Sequence, residues 1–138
     1  MSKVLPMPGK PAPSGPGSSF SPVGEILAEL RAGRMVIIMD DEDRENEGDL
    51  IMAAEHATPE AVAFMIRHTS GIICVPMPEE HLARLDLPQM VPVNSESHRT
   101  AFTVSVDLRA GTTTGVSSAD RAATTFPISK LAWLCELS

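Results

Sequence analysis

Two short apolar runs, residues 35–39 and 50–53, are separated by ten residues, seven of them acidic. The acids are Asp40, Asp41, Glu42, Asp43, Glu45, Glu47 and Asp49, and the single cation among them is Arg44. A chain with this pattern must bury both runs while leaving the acids at a wet edge. Apolar runs of four or five residues rich in Ile and Val read as buried strands. The carboxylates therefore belong at the lip of a sheet, held from both sides. Like charges so close raise one another's pKa unless a cation compensates. Arg44 neutralises one of them, and a hard divalent cation such as magnesium, manganese or calcium suits the oxygen donors that remain.

The alternative is a plain solvated loop, which most acidic runs are. An EF-hand is a poor fit, because Asn46 stands where its turn glycine belongs if Asp41 is the first ligand. Gly48, just before Asp49, favours a ligand site, since glycine lets the chain turn tightly and bring its backbone close to a bound group.

The flanking sequence supplies helices and further strands. Residues 3–19 are rich in Pro, Gly and Ser, and residues 1–19 are expected to form a disordered leader. Ser21-Pro22 reads as an N-cap and first helical residue, with Val23, Ile26, Leu27 and Leu30 on one face and Gly33 at the end. Thr58-Pro59 repeats the device, with Val62, Met65 and Ile66 as the inner stripe and Gly71 as the stop. Residues 72–75 predict a fully apolar strand, and residues 78–85 a short helix with Leu82 and Leu85 inward. Phe102, Val104, Val106 and Leu108 alternate with Thr103, Ser105 and Asp107, the period of a half-buried strand. Ser117 or Ser118 then caps a helix through Ala123. Strands and helices mix without a strict βαβ rhythm, which predicts an α+β fold, a mixed sheet with flanking helices.

Charge and composition narrow the function classes. A net charge of -7 leaves no basic surface to attract nucleic acid or anionic lipid. No apolar run is long enough to span a bilayer, and residues 1–6 lack the apolar core of a signal peptide. Cys74 and Cys135 lie far apart, without zinc spacing, among apolar neighbours. They are expected to be reduced, buried thiols of a cytoplasmic protein.

The run Asp40-Asp-Glu-Asp-Arg-Glu-Asn-Glu-Gly-Asp49 resembles the acidic loop of the 3,4-dihydroxy-2-butanone 4-phosphate synthase family of riboflavin biosynthesis. Further blocks are similar to that family in its own order: Ile66-Arg-His-Thr-Ser-Gly-Ile-Ile-Cys74, Leu85-Asp-Leu-Pro88, Thr100-Ala-Phe-Thr-Val104 and Thr113-Thr-Gly-Val-Ser-Ser-Ala-Asp-Arg121. The similarity runs from about Phe20 to Thr125, so residues 20–125 are expected to form the synthase-like domain. The resemblance implies a magnesium- or manganese-dependent carbon-carbon lyase, a cytoplasmic homodimer. It would convert ribulose 5-phosphate, a small phosphorylated sugar, into 3,4-dihydroxy-2-butanone 4-phosphate and formate. It also implies Arg44, Glu45 and Asp49 as substrate contacts, Glu45 and Asp49 as catalytic acids, and Glu45 as metal ligand.

Residues 126–138 depart from the family pattern. Phe126-Pro127 matches part of a Gly-His-Val/Ile-Phe-Pro motif without its His, and an Arg-x-Gly-His-Thr-Glu motif is missing. Leu134-Cys-Glu-Leu137 resembles the family's closing Cys-Glu pair, which implies Glu136 as a further catalytic and substrate-binding acid. The expectation is a shortened or internally deleted member with an incomplete version of the fold and impaired activity. The alternative is a non-catalytic remnant that pairs with a full-length subunit. Thr112 to Ser118 could present hydroxyls and N–H groups to a phosphate, or form a plain turn before an N-cap. His68 is expected to serve the helix end and Cys74 the core, and the role of His98 stays open.

Overall fold

The computed structural model describes residues 2–3 and 20–133, with side chains described over 20–128. Of the expected leader, Ser2–Lys3 form a short strand, β1, and the remainder lies outside the described residues. The chain divides into two compact units, residues 1–56 and 57–138.

In the first unit, helix α1 spans Val23–Arg31. Pro22, not Ser21, takes the cap position, because its ψ of 145° is still extended; its carbonyl accepts the N–H groups of Glu25 (3.0 Å) and Ile26 (3.3 Å). Of the expected apolar face only Ile26 is fully buried. The helix ends at Gly33, whose φ of 76° is the left-handed conformation that glycine adopts at little cost. Strand β2, Val36–Met39, follows, then the acidic loop, then β3, Gly48–Ile51.

The sheet runs β1-β2-β3 and is antiparallel throughout. The expected mixed sheet is therefore not seen among the described residues, because a connection of eight residues between β2 and β3 closes a hairpin and is too short for a parallel crossover. The register pairs Val36 with Ile51, Ile37 with Leu50, Ile38 with Asp49 and Met39 with Gly48. Met35 and Val36 are buried, and α1 packs on β1 and β2. Strand β3 starts two residues before the apolar run, because the ladder carries on to the Met39–Gly48 pair. A Cβ on Gly48 would stand 2.9 Å from the Met39 sulfur, the flexible end of that side chain, so a larger residue here would make Met39 shift.

The second unit centres on α2, Pro59–His68, and α4, Ser118–Trp133, which pack together. Thr58 caps α2 as expected, its hydroxyl accepting the Ala61 N–H at 3.2 Å. The helix stops at Thr69, two residues before Gly71, where both the N–H and the hydroxyl of Thr69 donate to the Met65 carbonyl. Val62, Ala122 and Thr125 are buried, together with the carboxylate-bearing Asp120. Helix α3, Glu79–Arg84, matches the expected short helix, with Leu82 and Leu85 half-buried. Helix α4 runs well past Ala123, with Pro127 inside it.

Neither of the later expected strands forms. Residues 72–75 take no ladder partner among the described residues, and residues 102–108 make one antiparallel bridge, Gln89 to Thr103. Alternation marks which face of a strand is apolar, but a strand exists only where a second backbone lies alongside.

The turn before α4 is shaped by Gly115, at φ 77°, whose Cα lies under the Asp107 carboxylate. Any side chain here meets both the backbone penalty and that carboxylate. Gly115→Ala is expected to lose about 1–3 kcal/mol of stability, read as a lower urea midpoint at unchanged slope.

Candidate functional site

The acidic loop joins β2 to β3, so the hairpin register fixes where its ends stand. The Asp40 N–H donates to the Glu47 carbonyl at 2.9 Å and closes the loop at its base. Within it, the Asp41 carbonyl accepts from Arg44 N–H (3.0 Å) and Asn46 N–H (3.3 Å). Asn46 sits at φ 51°, a left-handed turn position that Asn tolerates better than most residues.

Asp40 organises this loop. One carboxylate oxygen accepts the Asp41 N–H at 2.8 Å. The other accepts the Glu45 N–H at 3.0 Å and the Arg44 guanidinium at 2.8 Å. The same guanidinium nitrogen reaches the Glu45 carboxylate at 2.9 Å. Arg44 thus bridges two acids and relieves the repulsion that the sequence predicts. Partial desolvation pushes the Asp40 carboxyl upward, but the Glu45 and Asp41 N–H groups and Arg44 outweigh it and hold the carboxyl below its ordinary value. Asp40 also forms the ion pair that aims Arg44, and an acid four residues before an Arg is the sequence signal for it.

Arg44 and Glu45 are brought together by this clamp. Asp49 is placed by the ladder instead, exposed on β3 opposite Ile38. Adjacent residues of a strand face opposite ways, so Asp49 lies on the other face of the hairpin from Met39 and Gly48. Glu136, and with it Cys135, lies outside the described residues.

Among the described residues no three His, Cys, Asp or Glu side chains converge. Asp40 and Glu45 are engaged with Arg44, and the other acids of the loop are exposed. The described residues do not make a resident metal centre by themselves, and Glu45 offers at most one point of hold.

Three other expectations meet the structure differently. Cys74 is exposed instead of buried, because residues 72–75 form no strand in a sheet. His68 stacks on Phe64, ring centres 4.4 Å apart, in the last turn of α2, which agrees with a helix-end role. The Thr112 to Ser118 segment is a turn before an N-cap: the Ser117 hydroxyl accepts the Asp120 N–H at 3.0 Å. Several of its donors are already used. The Thr113 hydroxyl (2.8 Å) and N–H (3.0 Å) and the Gly115 N–H (3.2 Å) all go to the Asp120 carboxylate. The Thr113 contacts come first in holding that carboxyl below its ordinary range.

Glu96 does the same for the loop around His98. Its carboxylate accepts the N–H of His98 and of Thr100 and the Ser97 hydroxyl, each at 2.9 Å. The Asn94 amide adds a bond to the Thr100 carbonyl at 3.0 Å, and Arg99 adopts φ 58°. These bonds, led by the His98 and Thr100 N–H groups, lower the Glu96 carboxyl from 4.5 to about 2. The folded chain therefore releases this proton more readily than the unfolded chain does. The stabilisation is complete above pH 4.5 and is lost as the pH falls toward about 2. Glu96→Gln is expected to flatten the acid limb of a plot of unfolding midpoint against pH over that window. An unchanged limb would show that other carboxyls govern it.

Comparison with known proteins places these features in a family. Residues 24–132 match the family model described as 3,4-dihydroxy-2-butanone 4-phosphate synthase. A probable bifunctional riboflavin biosynthesis protein of Oryza sativa subsp. japonica is 60% identical over 111 residues, covering 79% of this chain and 21% of that protein. A 3,4-dihydroxy-2-butanone 4-phosphate synthase of Neisseria meningitidis serogroup B is 55% identical over 107 residues, covering 78% of this chain and 30% of its own. Among solved structures, a 3,4-dihydroxy-2-butanone 4-phosphate synthase in complex with two magnesium ions superposes with a TM-score of 0.77 at 46% identity, covering 79% of this chain and 51% of that one. The chain thus spans about half the length of that solved relative and under a third of these two curated ones. No helix among the described residues is long and apolar enough to cross a membrane.

Proposed function

Because the chain belongs to the 3,4-dihydroxy-2-butanone 4-phosphate synthase family, we propose that it supplies the acidic-loop part of a site that converts ribulose 5-phosphate into 3,4-dihydroxy-2-butanone 4-phosphate and formate. The observation that carries this reading is the Asp40–Arg44–Glu45 clamp at the hairpin tip, formed by the very residues that resemble the family's acidic loop. The reaction needs a proton taken beside a carbonyl, loss of water, a skeletal shift and release of one carbon. Exposed carboxylates suit the proton transfers. In this reading Asp49, exposed on β3, orients substrate hydroxyls or moves a proton. Glu45 takes part with its carboxylate oriented by Arg44, and Asp40 positions Arg44 without meeting substrate itself.

The remaining groups lie outside the described residues. Glu136 is the proposed further acid, and the completing phosphate and cation contacts come from additional polypeptide. No step is routed through a metal here. One carboxylate with water holds magnesium or manganese only weakly, on the order of millimolar. Titration with manganese, followed by water-proton relaxation, is expected to show such weak binding. Equal relaxation by the native chain and a Glu45→Gln, Asp49→Asn variant would remove Glu45 from the cation's neighbourhood.

Groups that act as one unit fail together, so an incomplete set is expected to lower turnover by several orders of magnitude. The test is formate release from ribulose 5-phosphate with magnesium, coupled to a formate dehydrogenase. The chain alone is expected to give no formate above the Glu45→Gln control. Mixed with a full-length synthase whose own acidic loop is disabled, the native chain is expected to restore formate release and Glu45→Gln is not. Failure of both chains to restore it would favour a non-catalytic family member that only pairs with a full-length subunit. Formate from the chain alone, well above the control, would show that Glu136 and the described residues already complete the site.

A further inference from the structure

Arg44, the single cation among residues 40–49, lies between two carboxylates. One guanidinium nitrogen stands 2.8 Å from Asp40 and 2.9 Å from Glu45. The two acids hold it unequally. Asp40 is the sheltered partner, its side chain 19% exposed against 37% for Glu45. It also accepts the N–H groups of Asp41 and Glu45, so its place does not depend on Arg44 alone. The hydrogen bond from Asp40 comes first among the contacts that raise the Arg44 guanidinium above its ordinary value. Glu45 meets Arg44 at the wetter end of the bridge. The charge-assisted bond there engages a carboxylate oxygen of the kind that a hard divalent cation also seeks.

From this bridge we infer that Arg44 is the resident cation of the acidic loop, a latch that withholds Glu45 from a divalent ion while the Arg44–Glu45 contact is closed. The arrangement disagrees with a preformed metal centre. No three ligating side chains converge among the described residues, and the carboxylate that the resemblance assigns to the metal already carries a guanidinium. A guanidinium and a divalent ion on one carboxylate repel each other, so each lowers the affinity of the other. Opening the latch costs little, because only one exposed ion pair is lost. Arg44 keeps Asp40 as its partner, and Asp40 keeps both N–H bonds that shape the loop. Asp40 is therefore the fixed end of the latch and Glu45 the end that releases. The inference rests on the cation role proposed for Glu45 and adds that Arg44 opposes it.

The experiment is manganese binding to the full chain, read by water-proton relaxation, in a double-mutant cycle of Arg44→Gln and Glu45→Gln. Arg44→Gln is expected to bind manganese about three- to fivefold more tightly than the native chain, the gain that loss of one exposed ion pair permits. With Glu45→Gln already in place the same change is expected to gain less than about 1.5-fold, because the latch needs both residues. Arg44→Lys keeps a cation between the acids and is expected to bind as the native chain does. In the native chain, magnesium is expected to shift the NMR signal of the Arg44 guanidinium, and sodium chloride at equal ionic strength is not. That second measurement needs no variant to fold. No gain from Arg44→Gln, or Arg44→Lys binding as tightly as Arg44→Gln, overturns the inference. An equal gain with and without Glu45 overturns it in favour of loop-wide charge, and an unmoved Arg44 signal at saturating magnesium overturns it as well. Equal binding by the native chain and Glu45→Gln removes the cation role of Glu45 itself, whereas failure of the latch alone leaves Glu45→Gln the weaker binder.

Discussion

The pairing of Val36 with Ile51 is the constraint on which the described site depends. Val36 is fully buried, and a strand slipped by one residue would turn its whole apolar set to the other face. Holding that register places Met39 against Gly48 and Asp49 against Ile38. Ten residues, 40–49, then have to close between fixed ends. The clamp at Asp40 is the way they close: one carboxylate gathers two N–H groups and one guanidinium in a stretch that would otherwise repel itself. Burial of a valine on one side of the hairpin thus determines where the Asp40 clamp stands at the other end of the strand.

Carboxylates serve as internal fasteners elsewhere in this acidic chain. Glu96 draws together residues 96–100, and Asp120 ties the turn at Thr113 and Gly115 to the start of α4. In each case backbone N–H groups that a loop would otherwise leave to water are satisfied by an ionised acid. All three carboxyls are held below their ordinary range, so each binds its loop only while ionised. The chain therefore uses negative charge in two ways. Paired with local donors it orders loops, and at Asp49 and along the hairpin tip it stays exposed.

The second unit shows the opposite economy. Its helices α2 and α4 bury Val62 and Ala122, yet Ile72, Val93, Phe102 and Val116 stay exposed. Helices satisfy their backbone within themselves and need only a packing face, whereas strands require a neighbour for every other polar group. The helical parts of the unit accordingly form, and the segments with strand composition stop at a single bridge.

Much of this was legible in the residues. The Thr58-Pro59 cap, the Met39 end of β2, the short helix after Pro78 and the family identity of the acidic loop are local or nearly local features, set by side-chain chemistry within a few positions. The sequence could not place what depends on groups distant along the chain. It suggested Gly48 as a ligand-facing turn, whereas Gly48 opens β3 with the Met39 side chain packed over it. It left Thr112 to Ser118 open to a phosphate, whereas Asp120 takes the donors of Thr113 and Gly115. It made Cys74 a core residue and residues 102–108 a strand, and both depend on a partner that alternation does not encode. A side chain's preference is written in the chain, but its use is decided by which backbone comes to lie beside it.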